Sequence, residues 1–182
     1  MVKRIVTVVL LGALFIPASL AAQDQAKIRN ALTAAPGVIS SQASVMDWDM
    51  SVLREGTNGW TCLPDYPASD GDDPMCVDGP FLAWLQAYAT QATPDIDAIG
   101  FSYMLAGDAP TSNTDPFATG PTADNEWLTE GTAHLMMVTP DPVMLEGIPT
   151  YPDGGPWVMW RDTPYAHVMM PLTGPGEMLM IH

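Results

Sequence analysis

Apolar and polar positions alternate in three different rhythms along this chain, and the first is a block. Lys3 and Arg4 precede an apolar run from Ile5 to Ile16, followed by Pro17 and the small-residue stretch Ala18-Ser19-Leu20-Ala21-Ala22. A basic start, an apolar core and small residues before a cut make the pattern of a secretory signal peptide. The run is short for a bilayer span, which needs about 20 apolar residues. Residues 1–22 are therefore expected to be a cleaved leader, with a mature chain from Ala22 or Gln23. Residues 23–182 then form a single globular domain. No cysteine stands at the cut, which argues against a lipoprotein.

Helical spacing comes next. Ile28, Ala31, Leu32 and Ala35 predict a helix over 24–35, capped by Asp24 and stopped at Pro36-Gly37. Phe81, Trp84, Leu85 and Tyr88 form one apolar stripe after Asp78, Gly79 and Pro80, predicting a second helix from there. Asp141 to Leu145, with Pro142 at its start, reads as a helical turn.

The third rhythm is strand-like. Ala43 to Arg54 predicts a hairpin or bent strand, and further strands are expected at 98–105, 133–139, 157–160 and 166–172, while 178–181 reads as a last strand or a frayed end. The stretch 62–78 carries Pro64, Pro67, Pro74 and the acidic tip Asp70-Gly71-Asp72-Asp73, and reads as an irregular loop. So does 106–126, whose length suits a binding or mobile segment. Strands and helices mix without a βαβ rhythm. The expected class is α+β, a single small domain with a mainly antiparallel sheet, two or three short helices and long Pro/Gly-rich loops.

Charge narrows the function. The chain has 21 acidic against six basic residues, a formal net charge of −15. Such a surface repels phosphate backbones and anionic lipid heads, which excludes nucleic acid and a membrane surface as expected partners. A small molecule, a glycan or a metal ion remains. Cys62 and Cys76 are the only cysteines. In an exported chain such a pair is expected to form one disulfide rather than a redox centre, which calls for a closely spaced C-x-x-C.

One internal echo carries candidate chemistry. Ala133-His134-Leu135-Met136-Met137 returns as Ala166-His167-Val168-Met169-Met170, in two predicted strands. Side chains alternate faces on a strand, so His134 shares a face with Met136, and His167 with Met169. Imidazole with thioether suits copper, particularly Cu(I), which makes His134, Met136, His167 and Met169 the candidate metal ligands. Met178, Met180 and His182 repeat that chemistry at the end of the chain.

Other sites are weaker. The tip Asp70 to Asp73 lacks the order of an EF-hand calcium loop. There is no G-x-S-x-G elbow. A hydrolase would use His134 or His167 as base with Asp47, Asp49 or Glu55 as its carboxylate. Trp60, Trp127, Trp157, Trp160, Tyr151 and Tyr165 lie near polar turns, and Trp60 and Tyr165 are the candidate stacking faces for a small ligand or sugar.

The runs Val45-Met46-Asp47-Trp48, Leu53-Arg54-Glu55-Gly56-Thr57-Asn58-Gly59-Trp60-Thr61-Cys62, Pro156-Trp157-Val158-Met159-Trp160 and Thr163-Pro164-Tyr165-Ala166-His167 resemble those of a group of exported bacterial proteins. The resemblance covers most of the mature chain. It implies export and a single domain, and carries over no functional residue. The expectation is an exported, periplasmic or secreted, non-catalytic domain that binds a small ligand or metal, with a His–carboxylate hydrolase as the alternative.

Overall fold

The computed structural model describes residues 18–129 and 131–172. The predicted leader up to Pro17, the expected strand at 178–181 and the Met178, Met180, His182 cluster lie outside them. Helix α1 spans Ala18–Ala31 and tightens into a 3-10 turn at Leu32–Ala34. It begins ahead of Asp24, which therefore sits inside the helix instead of capping it. Ala, Leu and Gln upstream are good helix formers, so nothing there stops the helix. The expected cut at Ala22 or Gln23 falls in exposed turns, and Ile28 is the first buried residue of the helix. Pro36 precedes a further turn, α2, at Gly37–Ser40.

Eight strands form one sheet: β1 Ser44–Met46, β2 Val52–Arg54, β3 Thr61–Leu63, β4 Met75–Val77, β5 Gly100–Met104, β8 His134–Val138, β9 Trp157–Met159 and β10 His167–Pro171. Their order is β2-β1-β3-β4-β5-β8-β10-β9. Every pairing is antiparallel except β1 with β3. A separate ribbon joins β6 Thr111–Ser112 to β7 Trp127–Leu128. The architecture is α+β, in one small domain.

Two regions read from sequence as irregular are ordered pieces of this plan. Cys62 and Cys76 stand directly opposite each other on β3 and β4, joined by a disulfide. The proline-rich stretch is thus the connection of a hairpin, and only its middle is irregular. The segment 106–126 is pinned by a buried Asn113. Its side chain donates to Glu126 and to the Thr150 carbonyl, and accepts from the Trp157 indole N–H at 2.9 Å. A polar loop can run through an interior when its polar atoms are paired.

Each face of the sheet is covered. Helix α3, Gly79–Ala89, lies on one face, where Phe81, Trp84 and Leu85 pack with Leu63, Val77, Met104, Met136, Met159 and Met169. Asp78 caps it, accepting from Phe81 N at 3.0 Å, and its second carboxylate oxygen accepts from Phe101 N on β5. The helix start comes so close to β5 that a Cβ on Gly100 would sit 2.5 Å from Phe81 N. On the opposite face α1 covers Val45, Cys62 and Cys76, while a 3-10 turn at Pro142–Leu145 covers Val158 and Val168.

Candidate functional site

The echoed segments are neighbours. β8 pairs with β10 so that Met136 faces Met169 and His134 faces Pro171. Directly opposed residues of an antiparallel ladder point to one side. His134, Met136, His167 and Met169 therefore share the α3 face. The register also separates the two imidazoles. His134 lies opposite Pro171, four positions from His167, or about 13 Å along the strand. Each ring is moreover tied to its own backbone. His134 Nδ1 lies 2.7 Å from the Thr132 carbonyl oxygen, and His167 Nδ1 lies 2.9 Å from that of Tyr165. The four-residue set expected from the sequence is thus not assembled around one point: the methionine pair sits in the middle, with one imidazole at each end.

The two ends differ chemically. Carbonyl oxygens only accept, so each Nδ1 carries the hydrogen and each neutral ring keeps its lone pair on Nε2. His167 packs edge-on against Trp84 and Trp160, at 5.3 and 4.9 Å between ring centres. Burial there pushes its pKa down to about 4, so it is neutral at pH 7. His134 is lowered too, again by burial. Its Nε2 is buried without a hydrogen-bond partner and lies 3.8 Å from Asp108 Oδ2. Burial pushes Asp108 up to about 7, against the lowering effect of the Ala109 N–H. Asp108 is the carboxylate that faces a histidine. The expected partners Asp47, Asp49 and Glu55 belong to the β1–β2 end of the sheet, where Asp47 instead pairs with Lys27.

Two connected spaces lie on this face. A pocket of about 140 Å³ is lined by Met75, Met104, Met136, Met159, Met169 and His167, together with Asp73 and Asp108. It shares Asp73, Met75, Leu85 and Tyr88 with a cleft of about 380 Å³ that opens to solvent. Trp48 and Tyr66, edge to face at 5.0 Å, form one wall of the cleft, and Tyr88 stacked on Phe117 at 5.6 Å forms the other. The cleft's carboxylate is Asp73. It accepts from Tyr66 N and sits beside Asp65, whose carboxylate accepts from Asp73 N. Burial, more than the neighbouring Asp65, pushes Asp73 up to about 6. Neither Lys27–Asp47 nor the His134–Asp108 contact, the charge contacts found among the described residues, involves it.

Neither expected stacking residue lines this cleft, although Tyr165 packs edge to face against both Tyr88 and Phe117 at 5.4 Å. Trp60 packs beside Tyr103 on the α1 face. Tyr165 is buried on the α3 face, donating its hydroxyl to the Ala92 carbonyl. The sheet lies between them, so they do not form one site. In the acidic tip, Asp72 accepts from Asn30 Nδ2. Among the described residues no three His, Cys, Asp or Glu side chains gather as an ion-holding group.

Sequence reasoning missed Asp73, Asp108, Trp48, Tyr66, Tyr88 and Phe117 as cleft and cavity residues. They come from four separate segments, and only Tyr88 on its helical stripe carried a local signal. Comparisons with protein-family models, with curated proteins and with solved structures find no match.

Proposed function

We propose that this chain is a non-catalytic binding domain, exported to a periplasm or beyond, that holds a small organic cation in the cleft between α3 and the β3–β4 connection. The observation that carries this reading is the pairing of two aromatic walls with one half-buried carboxylate that has no cationic partner among the described residues. Aromatic faces attract a cation by about 0.5–2 kcal/mol each, more as the site is desolvated. A net charge of −15 draws cations from a distance. Export is supported by the disulfide, which persists in oxidising compartments. No helix among the described residues is long and apolar enough to cross a membrane.

The hydrolase alternative has less behind it. The space beside His134 and Asp108 is about 40 Å³, room for a water but not for a substrate. Titration with choline, followed by Trp fluorescence and calorimetry, tests the binding reading against choline's neutral isostere, in which tert-butyl replaces trimethylammonium. Choline should bind about tenfold more tightly, a difference of about 1.4 kcal/mol, and Asp73→Asn should remove most of that preference. Equal affinity for cation and isostere, or no binding of either, would overturn the proposal.

A further inference from the structure

A second site is carried by a different observation, the unpartnered Nε2 of His134. We infer that His134, Met104, Met136 and Met169 form a binding site for one soft monovalent cation, Cu(I), on the α3 face of the sheet.

The four positions make a compact patch. Met104 on β5 lies directly opposite His134 on β8, and Met136, two residues along β8, lies directly opposite Met169 on β10. Opposed Cβ atoms stand about 4.5–5.5 Å apart and the next positions on the same face about 7 Å away, while Met104 and Met169, on either side of β8, are the widest pair at about 12 Å. Long, flexible methionine side chains can close on a common point from such a patch. All three methionines are almost fully buried and line the same pocket. That pocket shares Met169, Met159, Asp108 and Thr111 with the small space into which His134 faces.

The donor set is selective. Thioether sulfurs are neutral, soft ligands that favour Cu(I) over hard ions such as magnesium or calcium. The Thr132 carbonyl fixes His134 with Nε2 as its lone-pair nitrogen, the second-sphere arrangement usual for a ligating histidine. Asp108, 3.8 Å from that nitrogen, places a carboxylate beside the incoming charge. His167 lines the same pocket as the three methionines, but its ring is held edge-on against Trp84 and Trp160, with Nδ1 tied to the Tyr165 carbonyl, and it is left out of the set for that reason. The inference thus exchanges one imidazole of the sequence motif for a third thioether, supplied by a strand outside the repeat.

Anaerobic titration with Cu(I), in competition with a chromophoric Cu(I) chelator and with ascorbate as reductant, tests this on the disulfide-bonded mature protein. Wild type should take up one Cu(I) per chain, and X-ray absorption should show sulfur scatterers with a single nitrogen. Met104→Leu/Met136→Leu/Met169→Leu keeps side-chain volume and should weaken uptake at least about tenfold. A Met178→Leu/Met180→Leu control and His167→Gln should each leave it unchanged. Equal uptake by wild type and the triple variant would overturn the site, as would uptake that depends on Met178 and Met180. So would the absence of any uptake against the chelator. Near-UV circular dichroism of each variant confirms that its core is intact, and His134→Gln, made alone, gives a second variant that should also weaken binding. Choline binding in the outer cleft should survive these core substitutions, so failure of one proposal leaves the other standing.

Discussion

Opening the Cys62–Cys76 bridge should cost this protein about 3 kcal/mol. The two cysteines are 14 positions apart in sequence, and cross-linking a loop of that size removes about 10 cal/mol/K from the unfolded ensemble. At 25 °C this amounts to about 3 kcal/mol, a large share of the 5–15 kcal/mol that a typical domain has. The bridge sits where the loss matters. β3 is held by β1 on one side and β4 on the other, and each of the three strands has only three residues. Urea unfolding of the oxidised protein, the reduced and refolded protein and the Cys62→Ala/Cys76→Ala variant measures the effect. Both altered forms should lose stability by that amount, with a fall in Tm of about 6–12 °C for a domain of this size. Reductant should leave the double alanine variant unchanged. A loss below about 1 kcal/mol in the reduced protein would refute the reasoning. In that case the hydrogen bonds within the connection, Asp73 N to the Asp65 carboxylate and Tyr66 N to the Asp73 carboxylate, would already close the loop without the bridge.

Two further outcomes follow from single side chains. Asp78→Ala removes the cap of α3 and leaves the Phe101 N–H without its carboxylate partner, so chemical denaturation should show a loss of about 1–3 kcal/mol. Asp73 has a folded-state pKa raised by burial to about 6, so the folded state holds its proton more tightly than the unfolded chain. Its contribution to stability is full below the unfolded value near 3.8 and is lost as pH rises through about 6. Asp73→Asn should therefore be stabilised relative to wild type at pH 7, with the difference shrinking on acidification below pH 4. A constant difference across that range would show that the charge is not the cause.

Local patterns in the sequence were enough to place α3 and the longer strands, but not β3, β4, β6 or β7, nor which strands are neighbours. The stripe Phe81, Trp84, Leu85 and Tyr88 with the Asp78 cap defined α3, because spacing and capping act within a few residues. The strands at 100–104, 134–138, 157–159 and 167–171 were legible as apolar runs between turns, and the cysteine pair as a bridge. The start of α1 was not, because a cap-forming residue such as Asp24 does not interrupt a helix whose upstream residues also favour it. The irregular loop at 106–126 was legible and most of it is exposed, but the burial of Asn113 within it was not, since that depends on Glu126, Thr150 and Trp157.

The candidate sites mark the same boundary. That His134 and Met136, like His167 and Met169, would share a face follows from the period of a strand, which is a local property. Which of them can meet is a matter of register. Register arises from pairing between strands, and it set the two imidazoles four positions apart while bringing Met104 opposite His134. Burial likewise belongs to the packed molecule. Asp73 and Asp108 look like any other acids of a strongly acidic chain, and only the surrounding apolar walls raise their pKa values and turn them toward a cavity.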